Sequence, residues 1–374
     1  MFIDKDLKDV LMLACISRVF YISISCVASI LIPPFDKSTE LVQTNSCMKF
    51  LLSWDAVHFL EIMKNGYAKI HETAFFPFLP YVSRAVNKVL RIEPYTTGVL
   101  VSCIATILSS GVLYKITLKR YGSTIAKISV VLFIFNPASI VYTAMYSESL
   151  FMLAFVLGMH FLEENNAFHG TAMLSLCGLC RSNAVLFAPF VLFPLDRFSI
   201  MRTAFFLLPL ATFQYYSLLI INKAKNTYRI FVPYSYVQKT YWEQGLFKFF
   251  TSNNIPNIIL GTPFLAISTY ILFEYWNGRL DANKSAARLH NNSVYARNTR
   301  LLAIILFAQT LIAVFLIHWN MYFRFISFNP LLYWILAEKY NTMQSKILRR
   351  LLFRFFFGFG LIYALLFGCF YPPA

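Results

Sequence analysis

The sequence predicts an all-α polytopic membrane protein, and three observations support this fold class. The 374 residues are 58% hydrophobic and only 13% charged, and their mean hydropathy of +0.59 is far above that of an average soluble domain. Several apolar stretches reach the roughly 20 residues that a helix needs to cross a hydrocarbon core. Segments such as Val99 to Leu118 are apolar on every face, whereas the strands of a membrane barrel alternate polar and apolar positions.

We expect residues 1–374 to form a single integral membrane domain with about 9–11 transmembrane helices. Val10 to Ile32 is too long an apolar run for a cleaved signal peptide, so it is predicted to be a signal anchor with a cytosolic N-terminus. The other predicted spans, in chain order, are Tyr95–Leu118, Ile125–Tyr142, Leu150–Leu162, Ala172–Leu195, Thr203–Ile221, Ile255–Trp276, Leu301–His318, Tyr322–Ala337 and Leu352–Phe370.

Lysine and arginine cluster in short loops beside the predicted spans, as the positive-inside rule requires of cytosolic loops. This pattern makes residues 33–94 the first lumenal loop. Simple alternation would place residues 222–254 in the cytosol, although the later basic loops 278–300 and 338–350 also favour that side. Glycosylation sequons begin at Asn283 and Asn291 of the first of these basic loops, and we expect them to stay unmodified.

A broken span would remove this conflict. Arg181 and Pro189 interrupt the apolar segment Ala172–Leu195, and irregular, charged backbone at membrane depth survives only inside protein or beside a wet cavity. We therefore expect this segment, or its neighbour, to be broken, re-entrant or double, which makes residues 222–254 the second lumenal loop.

The net charge and the cysteines indicate which classes of partner and which kinds of site the sequence favours. The net charge of +16 is typical of nucleic-acid-binding proteins, but its position beside the spans favours the anionic headgroups of the cytosolic leaflet, and no nucleic-acid partner is expected. Cys177 and Cys180 form an isolated C-x-x-C without a second pair or a nearby histidine, so helix packing is favoured over a metal or redox site. No metal and no cofactor are expected.

The first candidate site lies in the first lumenal loop. The stretch from Ser53 to Tyr67 is predicted to form a short amphipathic helix along the membrane surface, with Ser53 as its N-cap and Asn65-Gly66 as its end. Asp55 and His58 share one face of this helix.

A carboxylate in a partly dehydrated cleft is suited to take a proton from an attacking hydroxyl, so Asp55 is the candidate general base. Capping of its own helix is the alternative role. His58 either orients Asp55, contacts a phosphate or packs as a surface histidine beside Trp54.

Two further motifs carry polar or aromatic groups. Phe75, Phe76 and Pro77 belong to a stiff apolar loop that either contacts a sugar ring or anchors the chain in the membrane interface. Glu148 stands in a tight lumenal turn between two predicted spans, with serines on both sides. It either binds polar groups of an acceptor or caps the helix that follows.

Two arginines are candidates for binding a phosphate. Arg181, next to Ser182 and Asn183, costs roughly 2.5 to 3.5 kcal/mol if it faces lipid at the bilayer centre, so we expect it to face inward. There it either stabilises the charge of a departing phosphate or pairs with a structural carboxylate. Arg324, near the lumenal end of its span, is a rival for the phosphate role.

The chain resembles the PIG-V family of GPI mannosyltransferases, with motifs in the family order over nearly its whole length. The most specific motif is Trp54-Asp55-Ala56-Val57-His58-Phe59 with Gly66-Tyr67. The later motifs are Ala74-Phe75-Phe76-Pro77, Asn136-Pro137-Ala138 with Tyr146-Ser147-Glu148-Ser149, Arg181-Ser182-Asn183, Tyr241-Trp242 with Gly245 and Ile255-Pro256-Asn257, and Arg324 with Pro330 and Tyr333-Trp334. Phe78 stands where the family pattern has glycine.

This resemblance implies a GT-C-like, lipid-sugar-dependent glycosyltransferase in the endoplasmic reticulum membrane, with a lumenal active site in the loop 33–94. It implies transfer of the second, α-1,6-linked mannose with inversion, from dolichyl-phosphate mannose to the mono-mannosylated GPI intermediate. A small membrane-protein subunit is an expected partner. The implied substrate-binding residues are Trp54, His58, Phe75, Phe76, Pro77, Glu148, Arg181, Asn183, Tyr241, Trp242 and Arg324, beside the catalytic Asp55.

Three other functions remain open at this point. A multispan lipid or solute transporter would concentrate charges at mid-bilayer and repeat its halves, and the only clear intramembrane charges are Arg18 and Arg181. A non-catalytic scaffold would tolerate loss of Asp55. Another dolichyl-phosphate-mannose-dependent mannosyltransferase of the endoplasmic reticulum would differ only in its acceptor.

Overall fold

The structure is a computed structural model that describes residues 5–36, 42, 44–225, 232–278 and 293–371. Within these ranges it contains helices and turns and no strand, which confirms the all-α prediction. The α-helices are α1 (Lys5–Leu31), α2 (Asp55–Asn65), α3 (Phe78–Leu90), α4 (Pro94–Ile134), α5 (Glu148–Glu163), α6 (Ala167–Cys177), α7 (Ala188–Leu192), α8 (Ser199–Lys225), α9 (Pro233–Trp242), α10 (Ile255–Trp276), α11 (Ser293–Leu316), α12 (Tyr322–Ile326), α13 (Pro330–Thr342) and α14 (Lys346–Gly368). Short 3-10 helices occupy Lys49–Leu51, Ile70–Ala74, Ser182–Phe187, Ser252–Asn254 and Trp319–Met321.

Six of the described helices are long and apolar enough to cross a membrane, namely α1, α4, α8, α10, α11 and α14. The other predicted spans fall on shorter or broken helices. Of the apolar stretch of α4, 67% is buried inside the protein, against 22% for α8. Helix α4 is therefore an interior helix, and α8 presents most of its apolar surface to lipid.

Helix α4 covers two predicted spans, Tyr95–Leu118 and Ile125–Tyr142, and it is kinked between them at Gly122, as two separate spans require. The backbone of this 41-residue helix departs from helical geometry at one residue, Gly122, which has φ 81° and ψ 174°. A residue without Cβ adopts this conformation at little cost. The second predicted span is too long, because the helix ends at Ile134 and successive turns follow. Pro137 explains this end, since a proline disfavours helical geometry in the residue before it.

Two other predicted spans are interrupted. In Ala172–Leu195, helix α6 ends at Cys177, and Arg181 is extended before a 3-10 helix and α7 begin, so the expected break lies at the arginine. Tyr322–Ala337 was predicted as one span and is two helices, α12 and α13. Asn329 explains this break, because its side chain accepts a hydrogen bond from the Leu331 N–H (3.1 Å) and caps α13.

The interior helices pack around α4, which contacts α1, α5 and α13, while α14 packs on α1 and α6 packs on α5. Buried arginines join these helices. Arg18 of α1 donates to the carbonyl oxygens of Ile134 (2.8 Å) and Ser139 (2.9 Å), so it satisfies the C-terminal end of α4. Arg120 of α4 pairs with Glu163 of α5 at 2.5 Å, and both side chains are at most 3% exposed.

The stretch predicted as the first lumenal loop is largely folded. Between α1 and α4 it forms α2, α3 and two 3-10 helices, and α2 packs on α3 and α4. Arg84 of α3 donates to the carbonyl oxygens of Ile62 (2.8 Å) and Met63 (2.6 Å) at the end of α2. These contacts fix α2, which carries Asp55, against the helix bundle.

The second predicted lumenal loop, residues 222–254, is partly helical, since α8 continues to Lys225 and α9 follows. Residues 226–231 lie outside the described ranges. The sequons at Asn283 and Asn291 also lie outside the described residues, so their side of the membrane stays a prediction, like the lumenal position of both loops.

Candidate active site

Asp55 is the first residue of α2, and the backbone before it is fixed by a tyrosine. The Tyr146 hydroxyl accepts a hydrogen bond from the Asp55 N–H (3.2 Å) and donates to the Ser53 carbonyl oxygen (3.1 Å). Trp54, between them, has φ 53°, which is uncommon for a residue with a side chain. Ser53 was predicted as the N-cap and this was wrong, because Trp54 is the N-cap and the Ser53 hydroxyl donates to the Phe367 carbonyl oxygen (2.9 Å).

A chain of ion pairs joins Asp55 to Arg324, Glu148 and Arg181. Arg324 donates from Nη2 to Asp55 Oδ2 and from Nε to Glu148 Oε1, and Arg181 Nη1 forms an ion pair with the same Glu148 oxygen. The side chain of Glu148 is 2% exposed and that of Asp55 is 24% exposed. Since buried charges persist only when they are paired, Glu148 keeps the two guanidinium groups together, and Asp55 is the carboxylate open to a substrate.

These contacts bear on the two acids, for each of which capping of its own helix was one predicted role. In the described part of the chain, both carboxylates bind arginines, and each also stands in the first turn of its helix, where a negative charge is favourable. Ion pairing is an interaction that neither prediction included, and the general-base role of Asp55 and the acceptor-binding role of Glu148 stay predictions. Arg181, in turn, faces inward as predicted and is paired with a carboxylate.

A cavity of about 150 Å³ opens beside this network, and we call it the arginine cavity. Arg324 stacks over the Tyr146 ring at 4.7 Å, and its buried Nη1 has no hydrogen-bond acceptor among the described residues. The Asn183 Oδ1 is likewise buried without a partner there. The lining residues are Asp55, Phe59, Ala74, Phe75, Phe76, Ser147, Cys180, Arg181, Ser182, Asn183, Tyr234, Gln238, Trp242, Gln244, Ile317, Met321, Arg324 and Phe325.

A second cavity of about 330 Å³ also borders Asp55, and we call it the histidine cavity. Asp55 and Trp242 line both cavities. The other lining residues are Asp36, Val42, Trp54, Val57, His58, Glu61, Lys69, His71, Glu72 and Phe370. Glu72 is engaged locally, since its Oε2 accepts from the N–H groups of Ala68 (2.7 Å) and Lys69 (2.9 Å).

His58 lies in the histidine cavity, apart from the two arginines. Its ring stacks on Phe75 with centroids 4.5 Å apart and lies 5.2 Å from the ring of His71. Burial lowers the pKa of both imidazoles from the ordinary histidine value, so both are neutral at pH 7. A neutral ring outside the arginine cavity does not fit the predicted phosphate contact.

The remaining predicted substrate residues divide among three places. Phe75 and Phe76 line the arginine cavity. Pro77 instead lines a separate apolar groove of about 550 Å³ with Tyr67 and Phe213. Tyr241 lines neither the arginine cavity nor the histidine cavity. It is 43% exposed and contacts the His71 ring at 5.6 Å, so its predicted role in substrate binding lacks support from the geometry.

Sequence reasoning missed the function of Tyr146. Its hydroxyl positions Asp55 and its ring lies under Arg324, although the residue itself stands in the motif Tyr146-Ser147-Glu148-Ser149. The signal available in the sequence was a tyrosine two residues before a candidate acid. It could not reveal a contact between residues that are 91 positions apart.

The described residues contain no group of three or more histidine, cysteine, aspartate or glutamate side chains placed to bind a metal ion. Cys177 and Cys180 are both buried and reduced. The Cys177 thiol lies 3.7 Å from the Phe151 carbonyl oxygen on α5, so it packs at the contact between α5 and α6, as predicted from the isolated motif.

A comparison with solved structures supports the fold. An oligosaccharyltransferase of Archaeoglobus fulgidus, solved with Zn and sulfate, matches 96% of this chain with a TM-score of 0.50 and 14% sequence identity. The chain spans about half of that protein, as the match covers 54% of its length. At this identity the likeness concerns the fold alone, and it confirms a multispan, GT-C-like architecture.

Sequence comparison finds relatives over most of the chain. It is 28% identical to GPI mannosyltransferase 2 of Saccharomyces cerevisiae, a match that covers 91% of this chain and 94% of the yeast protein. It is 26% identical to GPI mannosyltransferase 2 of Drosophila pseudoobscura pseudoobscura, over 91% and 89% of the two chains. It is 25% identical to GPI alpha-1,6-mannosyltransferase 2 of Cricetulus griseus, over 73% and 69%.

The family profile described as Mannosyltransferase (PIG-V) matches residues 8–198 and 192–374, which include Asp55, Glu148 and both arginines of the site. With an acid and two largely buried arginines around one cavity of a multispan fold, and with this match over nearly its whole length, the chain belongs to the PIG-V mannosyltransferase family.

Proposed function

We propose that this protein transfers the second mannose of the GPI anchor, in α-1,6 linkage, from dolichyl-phosphate mannose to the mono-mannosylated GPI intermediate. The observation that carries the proposal is the arginine cavity, in which one accessible carboxylate, Asp55, lies beside two largely buried arginines. Membership of the mannosyltransferase family and the names of the relatives supply the reaction class and the acceptor.

Asp55 acts as the general base in this proposal. The acceptor hydroxyl oxygen attacks the anomeric carbon of the mannose, the bond between that carbon and the phosphate oxygen breaks, and the phosphate leaves with the electron pair. The Asp55 carboxylate takes the hydroxyl proton. A single displacement of this kind inverts the anomeric centre, and it needs one base and no covalent intermediate on the protein.

Arg181 and Arg324 stabilise the departing phosphate. Both are held in place before the substrate arrives, because Glu148 accepts from Arg324 and pairs with Arg181, and preorganised charge of this kind lowers the barrier without reorganisation. The Nη1 of Arg324, buried without an acceptor in the described ranges, is a donor that a phosphate oxygen can satisfy. Glu148 is less suited to be the base, since its side chain is 2% exposed and bound by two cations.

The same proposal places the enzyme in the endoplasmic reticulum membrane with its active site on the lumenal side. The basic loops of the sequence support this orientation by the positive-inside rule, and the relatives support the pathway. A small membrane-protein subunit is part of the proposal through the family resemblance. The transporter and scaffold alternatives lose support from the family match, whereas a mannosyltransferase with another acceptor differs only in the substrate that it elongates.

The test is rescue of cells that lack the second GPI mannosyltransferase. The wild-type chain, expressed with its family's partner subunit, is expected to clear the accumulated mono-mannosylated GPI lipid and to restore GPI-anchored proteins at the cell surface. Clearance of a different lipid-linked mannose acceptor would assign another step to the enzyme. Persistence of every such intermediate, despite stable expression in the membrane, would contradict the proposed function.

A further inference from the structure

Two cavities meet at Asp55, and their chemistry differs. The arginine cavity contains both guanidinium groups of the site, and neither arginine lines the histidine cavity. Among the described residues, Asp55 and Trp242 line both. The carboxylate of the base therefore borders two cavities, one of which contains the two guanidinium groups.

The histidine cavity is lined by more acidic than basic groups. Among the described residues, four carboxylates line it, those of Asp36, Asp55, Glu61 and Glu72, together with the ammonium group of Lys69, and Asp55 is also paired with Arg324. Burial lowers the pKa of His58 and His71, and both are uncharged near neutral pH. A phosphate group would meet repulsion here, whereas sugar hydroxyls and an amino group would find acceptors.

Aromatic rings form much of the remaining wall. Trp242 lines both cavities, and its ring centroid lies 6.5 Å from that of His58 and 5.7 Å from that of Phe75. Trp54 also lines the cavity. Its buried indole N–H has no acceptor among the described residues, so a ligand oxygen would remove the cost of an unpaired donor. Flat apolar rings with a few polar groups are typical of a site for a small polar ligand.

We propose that the histidine cavity is the acceptor subsite and binds the terminal sugars of the acceptor, an uncharged or amine-bearing glycan. The assignment rests on the function proposed above and adds the direction from which each substrate arrives. In a single displacement the attacking oxygen and the leaving phosphate lie on opposite sides of the anomeric carbon. The arginines place the phosphate in the arginine cavity, so the acceptor hydroxyl arrives from the histidine cavity, beside Asp55.

Glu61 and His71 give this proposal its test, since each lines the histidine cavity and neither lines the arginine cavity. Transfer is measured in isolated membranes, with dolichyl-phosphate mannose varied at fixed mono-mannosylated GPI lipid and then the reverse. Glu61→Gln and His71→Ala are expected to raise the acceptor KM about tenfold each, as the loss of one hydrogen bond to a polar ligand predicts. The donor KM is expected to stay within twofold of wild type.

Two control variants separate this effect from general damage. Arg181→Lys is expected to raise the donor KM and to leave the acceptor KM unchanged. Glu164→Gln makes the same chemical change as Glu61→Gln at an exposed ion pair with Lys119, and it is expected to change neither constant. Thermal stability of each variant, followed by the fraction that stays soluble in detergent, verifies the fold.

The proposal is overturned if Glu61→Gln and His71→Ala both leave the acceptor KM within twofold of wild type, or if they raise the donor KM instead. A wild-type enzyme that transfers no mannose to this acceptor would refute the proposed function itself, and the acceptor subsite with it. Transfer by the wild type with unaltered kinetics in both variants refutes the subsite alone.

Discussion

Replacement of Glu148 by glutamine tests whether the ion pairs of the site organise the catalytic arginines. The substitution keeps the size of the side chain and removes its charge. Arg324 would retain Asp55 as its partner, and Arg181 would lose the carboxylate with which it pairs. The two neighbouring guanidinium groups would then have a single carboxylate, that of Asp55, to balance their charge.

The size of the effect follows from burial. Breaking a buried ion pair by removal of one partner costs about 3 to 5 kcal/mol, because the other charge is left uncompensated. The side chain of Arg181 is 19% exposed, so water can solvate part of the unpaired cation, and we expect the lower end, about 3 kcal/mol of unfolding free energy. Transfer activity is expected to fall on the order of a hundredfold, as for loss of a preorganised charge at a transition state.

Glu163→Gln is the matched control. Glu163 lies at the other end of the same helix, α5, about 22 Å away at 1.5 Å per residue, and it pairs with Arg120 at 2.5 Å with both side chains at most 3% exposed. Because this pair is more deeply buried, the control should lose at least as much stability as Glu148→Gln, and it should keep its activity per folded molecule.

Both variants are assayed in the same membranes. Thermal inactivation reports stability, and the initial rate of mannosyl transfer is divided by the amount of folded protein. Equal specific activity in the two variants would mean that the charge of Glu148 stabilises the fold and does not organise the two arginines for catalysis.

Four other substitutions, the last of them a control, give further predictions. Arg324→Lys is expected to lower kcat/KM on the order of a hundredfold in the transfer assay, because one ammonium group cannot donate in both fixed directions of a guanidinium. Tyr146→Phe leaves the Asp55 N–H without its acceptor, so kcat is expected to fall about tenfold with little change in either KM, and an unchanged kcat would contradict this role. Gly261→Ala would place a Cβ against the backbone of the 3-10 helix that precedes Arg324, and is expected to destabilise the protein by about 1 to 3 kcal/mol in thermal inactivation. Gly358→Ala, where a Cβ meets no atom within 4 Å, should stay within about 0.5 kcal/mol of wild type.

Much of the site was predictable because charged side chains cost free energy when they are placed inside a membrane. An arginine in an apolar segment must find a partner, which identified Arg181 and its inward orientation, and an acid in a short helix identified Asp55. The family motifs then joined both to Glu148 and Arg324. Their proximity in space was not predictable from spacing, because Asp55 and Arg324 are 269 positions apart.

The errors concern local backbone geometry. Ser53 has the side chain of a good N-cap, but its hydroxyl donates a hydrogen bond to the carbonyl oxygen of Phe367 in α14. This tertiary contact overrides the local preference. Hydropathy alone also joined α12 to α13, because the polar break at Asn329 is short and its neighbours are apolar. In both cases the deciding contact comes from a residue far away or from a single side chain, and a pattern averaged over a window of sequence does not detect it.

The chemical role of Asp55 is the central claim, and the transfer rate of Asp55→Asn tests it most directly. Asparagine keeps the shape of the side chain and cannot take the hydroxyl proton, while Arg324 keeps its contact with Glu148. The rates are compared at matched amounts of folded protein, with saturating dolichyl-phosphate mannose and acceptor. If Asp55 is the general base, the rate of Asp55→Asn is at least about a hundredfold below wild type, which is the usual contribution of such a base. A rate within about tenfold of wild type would mean that Asp55 does not take the proton of the attacking hydroxyl.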